Sequence, residues 1–425
     1  MKAGQHPGNY EVVTIPGADG KLAGEEIAFS CHLDHQRPGA NDNASGCATI
    51  LEAARTLQKL IAEKTLARPL RTMRFIFPPE IEGTMALLSA RPELARRIQA
   101  VIHMDMVGGG PVTKAVFHVT RGPMSLPSFV HDVAWAFADW VNQESYKFAA
   151  TGSPEYPMVA PEGGKEPLRA EYSPYTMGSD HDVHQDSSFA IPAICLNDWP
   201  DRYIHTNFDT AANIDPTKLK RAAFIGAASA YFLAAMSAEQ QSQAESAVVI
   251  GRGMRDLSMR TRGRGLREKM ACTLMRQEMA YEAGVARSLT RFLGGDERAA
   301  REDFPGENCP AASATGQSRV APTVYQRRTE PKGPLLVFGF DYFNDKESRP
   351  RGDSETFELR GVVGRRRGLC LRSSEFRGWK SHVLEVCDAL SAEYGPVPVE
   401  MVAEYLKALE QIGVLEQVEQ EPGPH

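Results

Sequence analysis

The chain has 425 residues, and at about 150 residues per domain this length predicts two or three domains and excludes a mini-protein held together by disulfides. Apolar residues make up 42% of the chain and charged residues 24%, which is typical of globular proteins and unlike collagen or a fully disordered chain. The formal net charge is -6 at pH 7, so the overall charge gives no electrostatic argument for binding nucleic acid or an anionic membrane.

The seven cysteines are odd in number and include no C-x-x-C pair, so their spacing predicts neither a disulfide framework nor a thiolate zinc site. A reducing cytoplasm is the expected location, and the N-terminal stretch lacks the apolar core of a secretory signal. The longest apolar run, residues 222–238, is interrupted by Gly226 and Ser229. It falls short of the roughly 20 apolar residues that cross a bilayer and therefore predicts a buried helix.

Between Tyr10 and about Gln240, short β-rich runs alternate with segments of helical periodicity, the pattern of a sheet with helices packed on its faces. The predicted strands are residues 11–16, 27–31, 72–77, 101–105 and 191–196. Three amphipathic helices are predicted between or after them. One follows Ser45, one covers residues 128–141, and one begins at the pair Asp215-Pro216 and runs to about residue 238.

The composition changes after residue 238. An Arg-rich stretch at 252–267 predicts an exposed helix, and a stretch rich in Gly, Pro, Ser and Ala at 303–334 predicts a linker. From Leu335 the pattern predicts a small separate domain that resembles a helix-turn-helix or winged-helix unit. Its predicted features are a strand, a basic cluster and two helices, at residues 335–340, 365–367, 381–394 and 399–412. The predicted domains are therefore a catalytic domain, a connecting segment and a winged-helix-like domain, at residues 1–240, 241–334 and 335–425.

The strongest chemical signal is the segment FSCHLDHQRPGANDNASG, where a strand leads into a loop rich in Gly and Asn that opens a helix. His32 and Asp34 are two residues apart on the predicted strand, so their side chains are expected on the same side. A carboxylate beside an imidazole orients a metal-binding histidine and makes it more basic. Asp42, in the loop, has two oxygens with which it could bridge two cations. Each of these residues alone is typical of an ordinary surface position, but further strand ends carry similar groups.

Three more strand ends are polar. Glu80 and Glu82 follow the strand RFIF, Asp105 ends the strand AVIHMD, and His205 lies in the loop after the last predicted strand. His103 shares a side with Asp105 by alternation and is equally compatible with a core position. Functional residues of α/β sheets gather at strand ends. Together, these histidines and carboxylates form a nitrogen and oxygen ligand set that suits zinc, and bridging carboxylates suit two ions.

In this order, the motifs resemble the co-catalytic di-zinc exopeptidases, a family that includes bacterial leucyl aminopeptidase, glutamate carboxypeptidase and, as a non-peptidase relative, glutaminyl cyclase. The resemblance covers residues 9–236 and includes the GSDH segment that ends at His181. It implies an α/β fold of three layers, with a mixed sheet between helices. It also implies one zinc on His32 and Asp105, a second zinc on His205 and a glutamate, and Asp42 as the bridge.

Three features depart from that family. Its members have two adjacent glutamates, a general base and then a zinc ligand, whereas here Ile81 follows Glu80 and Glu82 comes one place late. Either Glu82 completes the second site, or Glu80 is the only carboxylate there and the centre holds one metal or prefers another metal. In addition, Ile204 separates Tyr203 from His205, and no counterpart of the helix that usually precedes the first strand is expected.

The resemblance implies a zinc-dependent aminopeptidase that acts on peptides, with Glu80 as the general base and Asp34 as a second catalytic residue. The alternatives are carboxypeptidase or glutaminyl-cyclase-like chemistry on the same scaffold, and a degenerate peptidase that regulates through its C-terminal module. The basic cluster Arg365 to Arg367 is short and the chain is acidic, which does not favour nucleic acid as a partner. No membrane partner is expected, and a homo-oligomer is compatible with the sequence.

Overall fold

The structure is a computed structural model that describes residues 13–296, 323–337, 340–342, 346 and 381–418. Two compact units are present. Unit 1 contains the described residues up to 121, together with 130–174 and 191–247, and unit 2 contains residues 122–129, 175–190 and the described residues from 248 onward. The predicted domain boundaries at residues 240 and 334 remain predictions.

Unit 1 is built on a seven-stranded sheet. In chain order its strands are β1 (Val13–Ile15), β2 (Glu26–Ser30), β3 (Thr72–Ile76), β4 (Ile98–Asp105), β5 (Val116–Thr120), β6 (Glu171–Ser173) and β7 (Ala193–Trp199). Their order in the sheet is β1-β3-β2-β4-β7-β5-β6. The four central strands are parallel, whereas β1 is antiparallel to β3 and β5 is antiparallel to β7. The predicted mixed sheet is confirmed.

The helices of the described residues are α1 (Gly46–Ala62), α2 (Glu82–Ala90), α3 (Pro92–Arg97), α4 (Val130–Thr151), α5 (His181–Gln185), α6 (Pro216–Ala235), α7 (Gln241–Gly263), α8 (Glu268–Phe292), α9 (Val383–Tyr394) and α10 (Val399–Gln411). The start of α6 follows the sequence pattern, because the Asp215 carboxylate accepts the backbone N–H of Thr217 at 2.9 Å and Pro216 occupies the first turn.

The central strands of unit 1 are buried in its core. Every residue of β2 is buried, which is expected when helices cover both faces of a parallel sheet. Helix α6 packs closely on this sheet through Gly226, where an added Cβ would lie 3.1 Å from Met104 Sδ and 3.4 Å from Phe29 Cε1. The Ala- and Gly-rich run is therefore a buried helix, as predicted.

Unit 2 contains a second core. The strands β8 (Val324–Arg327), β11 (Ser381–His382) and β12 (Leu415–Val418) form an antiparallel sheet in the order β11-β8-β12. Buried side chains of α9 and α10, among them Leu390 and Leu406, share one hydrophobic cluster with Leu415. Both predicted C-terminal helices are thus confirmed. The winged-helix assignment stays a prediction, and the basic cluster 365–367 lies outside the described residues.

The predicted strand at 335–340 is in fact two short strands, β9 (Leu336–Val337) and β10 (Phe340–Asp341), which pair with each other in antiparallel fashion. Among the described residues, no helix is long and apolar enough to cross a membrane.

One expectation about cysteine is wrong. Cys31, just past the end of β2, and Cys47, in the first turn of α1, form a disulfide. Spacing alone did not indicate this pair, because the two residues are 16 positions apart and meet only when α1 packs beside β2. Cys272 is also disulfide-bonded. The expected cytoplasmic location consequently loses the support that it drew from the cysteine pattern.

Candidate metal centre

Four of the five predicted metal ligands lie together at one edge of the sheet in unit 1. Asp105 is the last residue of β4, His32 follows the end of β2, and His205 lies in the turn after β7. The carboxyl ends of parallel strands open at the same edge, which is why residues distant in sequence converge there. Asp42 comes from the irregular turn Ala40–Ser45 that precedes α1.

The two carboxylate oxygens of Asp42 face two different groups of side chains. Its Oδ1 lies 3.2 Å from His32 Nε2, which is also 3.4 Å from Asp105 Oδ1. Its Oδ2 lies 3.1 Å from His205 Nε2 and 3.1 Å from the Nε2 of a further histidine, His35. In each group the candidate ligand atoms lie within 4.8 Å of one another, close enough to hold a metal ion. The geometry therefore offers two ion positions that share Asp42.

The residues of the first group fit a cation. His32 Nε2 and Asp105 Oδ1 are buried, and neither has a hydrogen-bond partner among the described residues. Burial opposes charging of the ring, but the negative charges of Asp105 and Asp42 outweigh burial and raise the pKa of His32 to about 12. The two carboxylates beside this buried nitrogen make the position electrostatically favourable for a cation.

Asp42 remains the negative partner of both groups. Burial by itself would raise the pKa of Asp42, but the neighbouring His32, His35 and His205 lower it, so the carboxylate stays ionised. Imidazole nitrogens and carboxylate oxygens are donors that zinc accepts, and three protein donors per ion leave a position for water or substrate. The donor set thus agrees with the zinc that the sequence resemblance implies.

Asp34 contacts both His32 and the loop that carries Glu80. Its backbone carbonyl, rather than its carboxylate, lies 2.9 Å from His32 Nδ1, and its Oδ1 is 3.9 Å from that nitrogen. The carboxylate instead accepts the backbone N–H of Glu80 at 2.7 Å. Because β2 ends at Ser30, the strand alternation that placed His32 and Asp34 on one side does not reach them. Asp34 as a catalytic residue stays a prediction.

Glu80 and Glu82 occupy different surroundings. Glu80 is half-buried in the loop after β3, and its charge acts on His32. Glu82 begins α2, is exposed, and belongs to neither group of candidate ligands among the described residues. Ile81 stands between them, 3% exposed and with a φ of 56°, a backbone region that β-branched residues rarely adopt. Glu82 as a metal ligand stays a prediction.

The turn that carries Asp42 is fixed by side chains that the sequence analysis did not assign. Asp209 accepts the backbone N–H of Asn41 at 2.7 Å and that of Asp42 at 3.0 Å. Asn43 donates to the carbonyl of Met104 at 3.0 Å, which ties the turn to β4. Asp209 lies in the HTNFDT run that includes His205, and that shared motif was the available signal. These bonds hold Asp42 between the two groups.

A carboxylate-bridged pair of ligand groups at the strand ends of a mixed α/β sheet is the arrangement of a metallohydrolase centre. The model of peptidase family M28 matches residues 12–230, slightly more than half of the chain, and the chain belongs to this family.

Several solved structures resemble the chain. A zinc aminopeptidase from Bacillus subtilis is 17% identical over 52% of this chain and 48% of its own, with a TM-score of 0.39. An aminopeptidase from Aneurinibacillus sp. strain AM-1 is 25% identical over 53% of this chain and 47% of its own, with a TM-score of 0.35. A glutaminyl cyclase from an Acidobacteriales bacterium is 16% identical over 53% of this chain and 72% of its own, with a TM-score of 0.35. The chain thus spans about half the length of the two aminopeptidases. A search of curated proteins gives no match.

Proposed function

We propose that the chain is a zinc-dependent exopeptidase, and specifically an aminopeptidase that removes N-terminal residues from peptides. The observation that supports this most is the division of the Asp42 oxygens between two groups of nitrogen and oxygen donors, in a chain of peptidase family M28. The choice of an aminopeptidase follows the sequence resemblance and is an analogy. Retention of His32, Asp42, Asp105 and His205 in one place argues against a degenerate peptidase that serves only as a regulator.

The proposed roles follow from the positions of the residues. Zinc, when bound, polarises the scissile carbonyl and lowers the pKa of water. His32, Asp105 and Asp42 Oδ1 would hold one ion, and His205 with Asp42 Oδ2 would contribute to holding the other. Glu80 would accept a proton from the attacking water and pass it to the leaving amine. Asp34 would keep Glu80 in place through the 2.7 Å bond to its backbone N–H.

Substrate panels test this proposal. The purified chain is chelated, reloaded with Zn²⁺, Co²⁺ or Mn²⁺, and assayed against aminoacyl chromogenic amides, N-blocked peptides and peptides that begin with glutamine. We expect metal-dependent cleavage of the free N-terminal substrates. Faster cleavage of the N-blocked peptides would indicate a carboxypeptidase, and cyclisation without hydrolysis would indicate cyclase chemistry. Absence of any bound transition metal, with no activity regained on addition, would contradict the metal centre itself.

Peptides are the proposed substrate class. The homo-oligomer and the cytoplasmic location that the sequence suggested stay predictions, and size-exclusion chromatography of the purified chain addresses the first.

A further inference from the structure

His35 has no role in the proposed function, yet it approaches the centre as closely as His205 does. The Nε2 atoms of both histidines lie 3.1 Å from the same oxygen, Asp42 Oδ2, and the two ring centroids are 5.6 Å apart. We propose that His35 is a ligand of the second metal ion and takes the place of the glutamate that the sequence resemblance implies there. This inference rests on the proposed function, because it assumes that the centre binds metal.

The orientation of the His35 ring supports a ligand role. Its Nδ1 lies 2.9 Å from the backbone carbonyl oxygen of Arg37, two residues further along. His32 makes the same contact at the same distance with the carbonyl of Asp34, also two residues along. An Nδ1–H that donates to a carbonyl leaves Nε2 as the metal-binding atom. The backbone N–H of Arg37 lies further from Nδ1, at 3.2 Å, so the carbonyl contact is the closer one.

The loop is shaped to admit this ring. A Cβ added at Gly39 would lie 2.9 Å from both Cγ and Nδ1 of His35, and 2.0 Å from the carbonyl oxygen of Asp42. Glycine at this position therefore allows the chain to pass directly behind the imidazole. The His35 side chain is only 12% exposed, so it is held in the site rather than extended into solvent.

The competing glutamate position is less well placed. Ile81, which occupies the position of the second glutamate in the resemblance, is buried, and Glu82 is exposed at the start of α2. With His35 included, each ion would have three protein donors. His32, Asp105 and Asp42 would serve one ion, and His35, His205 and Asp42 the other. The second ion would then have one carboxylate fewer than the glutamate arrangement gives it.

Metal stoichiometry distinguishes the two arrangements without reference to activity. Wild type, His35→Ala and Glu82→Gln are chelated, dialysed against excess Zn²⁺ or Co²⁺, freed of unbound metal, and analysed for metal per chain. We expect two ions in wild type and Glu82→Gln, and one ion in His35→Ala. The visible absorption of the cobalt-loaded protein should fall to about half in His35→Ala. The affinity for the second ion should also fall by more than roughly 10- to 100-fold, which is the cost of losing a residue that only hydrogen-bonds to a metal ligand.

Two further variants exclude a general structural effect. His35→Glu supplies a carboxylate at the same place and should restore the second ion. His118→Ala is the matched control, because His118 lies in β5 of the same unit and contacts Ser173 Oγ at 2.6 Å and the carbonyl of Trp199 at 2.9 Å. It should keep both ions. Circular dichroism of the metal-free proteins checks that each variant is folded.

The outcomes separate the two proposals. Two ions in a folded His35→Ala, or loss of one ion in Glu82→Gln, would overturn the role of His35 and leave the metallopeptidase intact. A single ion in wild type would also overturn it. Absence of metal in wild type would overturn the proposed function as well. If His35→Ala does not fold, His35→Glu carries the test, and failure of that folded variant to bind a second ion would count against the ligand role.

Discussion

At the scale of single residues, the candidate centre coincides with unusual backbone conformations. Ile81, Met106 and His205 have φ values of 56°, 59° and 58°, in the left-handed region that residues other than glycine seldom adopt. Each is a site residue or the neighbour of one. Such conformations cost of order 1–3 kcal/mol and persist where surrounding contacts impose them, commonly at functional sites. The bonds from Asp209 and Asn43 are contacts of this kind for the neighbouring turn.

Glu80→Gln tests the general base. Glutamine keeps the size and the backbone N–H that Asp34 accepts, but it cannot take a proton, so we expect normal metal content and a kcat lower by on the order of 10² to 10⁴. Steady-state kinetics and metal analysis of the same preparation measure both quantities. If Glu80→Gln loses metal while Glu82→Gln keeps metal and loses turnover, Glu80 is a metal ligand and Glu82 is the general base.

The sequence predicted the positions of the candidate metal ligands that lie at or next to the ends of strands. Asp105 could be placed because β4 runs into it, and His32 because it immediately follows a predicted strand. His35 could not be placed, because its approach to Asp42 depends on how residues 36–41 fold back, and no periodicity describes that path. The shared side of His32 and Asp34 could not follow from strand alternation either, because β2 ends at Ser30, and the catalytic role of Asp34 stays a prediction.

At the scale of elements, the junction between the Asp42 turn and α1 links packing to the centre. Gly46 begins α1, and a Cβ there would lie 2.2 Å from both Asn43 Oδ1 and the carbonyl oxygen of Met104. The Asn43 amide also accepts the backbone N–H of Gly46 at 3.0 Å. The helix therefore begins with a glycine because β4 and the turn approach its backbone closely, and not because the helix needs flexibility there.

Gly46→Ala should therefore destabilise the protein although alanine favours helices. Overpacking of a tight site typically costs about 1–3 kcal/mol, and we expect at least this loss together with lower metal content, because Asn43 must move. Urea unfolding and metal analysis measure the two effects. Gly253→Ala in α7 is the control, since nothing lies within 4 Å of an added Cβ there, and it should be neutral or stabilise by about 0.4–1 kcal/mol. Equal effects of the two substitutions would contradict this account of Gly46.

Helix α5 contains a buried group that should make stability depend on pH. Both ring nitrogens of His184 are buried without a hydrogen-bond partner among the described residues. Burial, and secondarily the nearby His181, lower the pKa of His184 from 6.5 to about 3. Between these two values the unfolded chain binds a proton that the folded chain does not. This contribution to stability is therefore complete above the unfolded pKa and is lost as the pH falls toward the folded pKa.

His184→Leu removes that dependence. At about pH 5, protonation of one such histidine stabilises the unfolded chain by roughly 2 kcal/mol. Between about pH 7.5 and pH 5, the free energy of unfolding of the wild type should therefore fall by about this much more than that of the variant. Urea midpoints across this range measure the difference. Above about pH 7 the difference between the two proteins should no longer change with pH, which serves as the internal control. Parallel curves over the whole range would show that His184 is not buried in its neutral form.

Prediction of elements succeeded for the four parallel strands and for the edge strand β1, and it failed at the opposite end of the sheet. The strands β2, β3, β4 and β7 each contain several buried apolar residues, whereas β5 and β6 were missed. β6 has three residues, and an exposed Glu171 interrupts its pattern. Short strands at a sheet edge are stabilised by pairing with a neighbour, and local sequence does not record that pairing.

At the scale of the whole molecule, long-range contacts decide which segments belong to unit 1 and which to unit 2, and sequence patterns do not reveal these contacts. Residues 122–129 and 175–190 lie within the predicted catalytic half, yet they belong to unit 2. Similarly, β8 precedes the predicted start of the C-terminal domain at Leu335, yet it pairs with β11 and β12 beyond it. Composition locates a change in the chain, but long-range packing decides which segments fold together.

Removal of metal should lower the stability of the folded chain. The candidate ligands extend from His32 to His205 and belong to unit 1, and they come together only in the folded state. A ligand that binds only the folded state stabilises it by RT ln(1 + [L]/Kd), about 2.7 kcal/mol when its free concentration is 100 times Kd. Chelated protein should therefore unfold at a lower urea concentration than zinc-loaded protein under non-reducing conditions that preserve the Cys31–Cys47 disulfide.

Re-addition of Zn²⁺ should restore the midpoint, whereas Mg²⁺, which prefers an all-oxygen environment, should not. His32→Ala should show a smaller zinc-dependent shift than wild type, because one group loses its only nitrogen donor. Identical midpoints for chelated and zinc-loaded wild type would contradict tight metal binding at these strand ends.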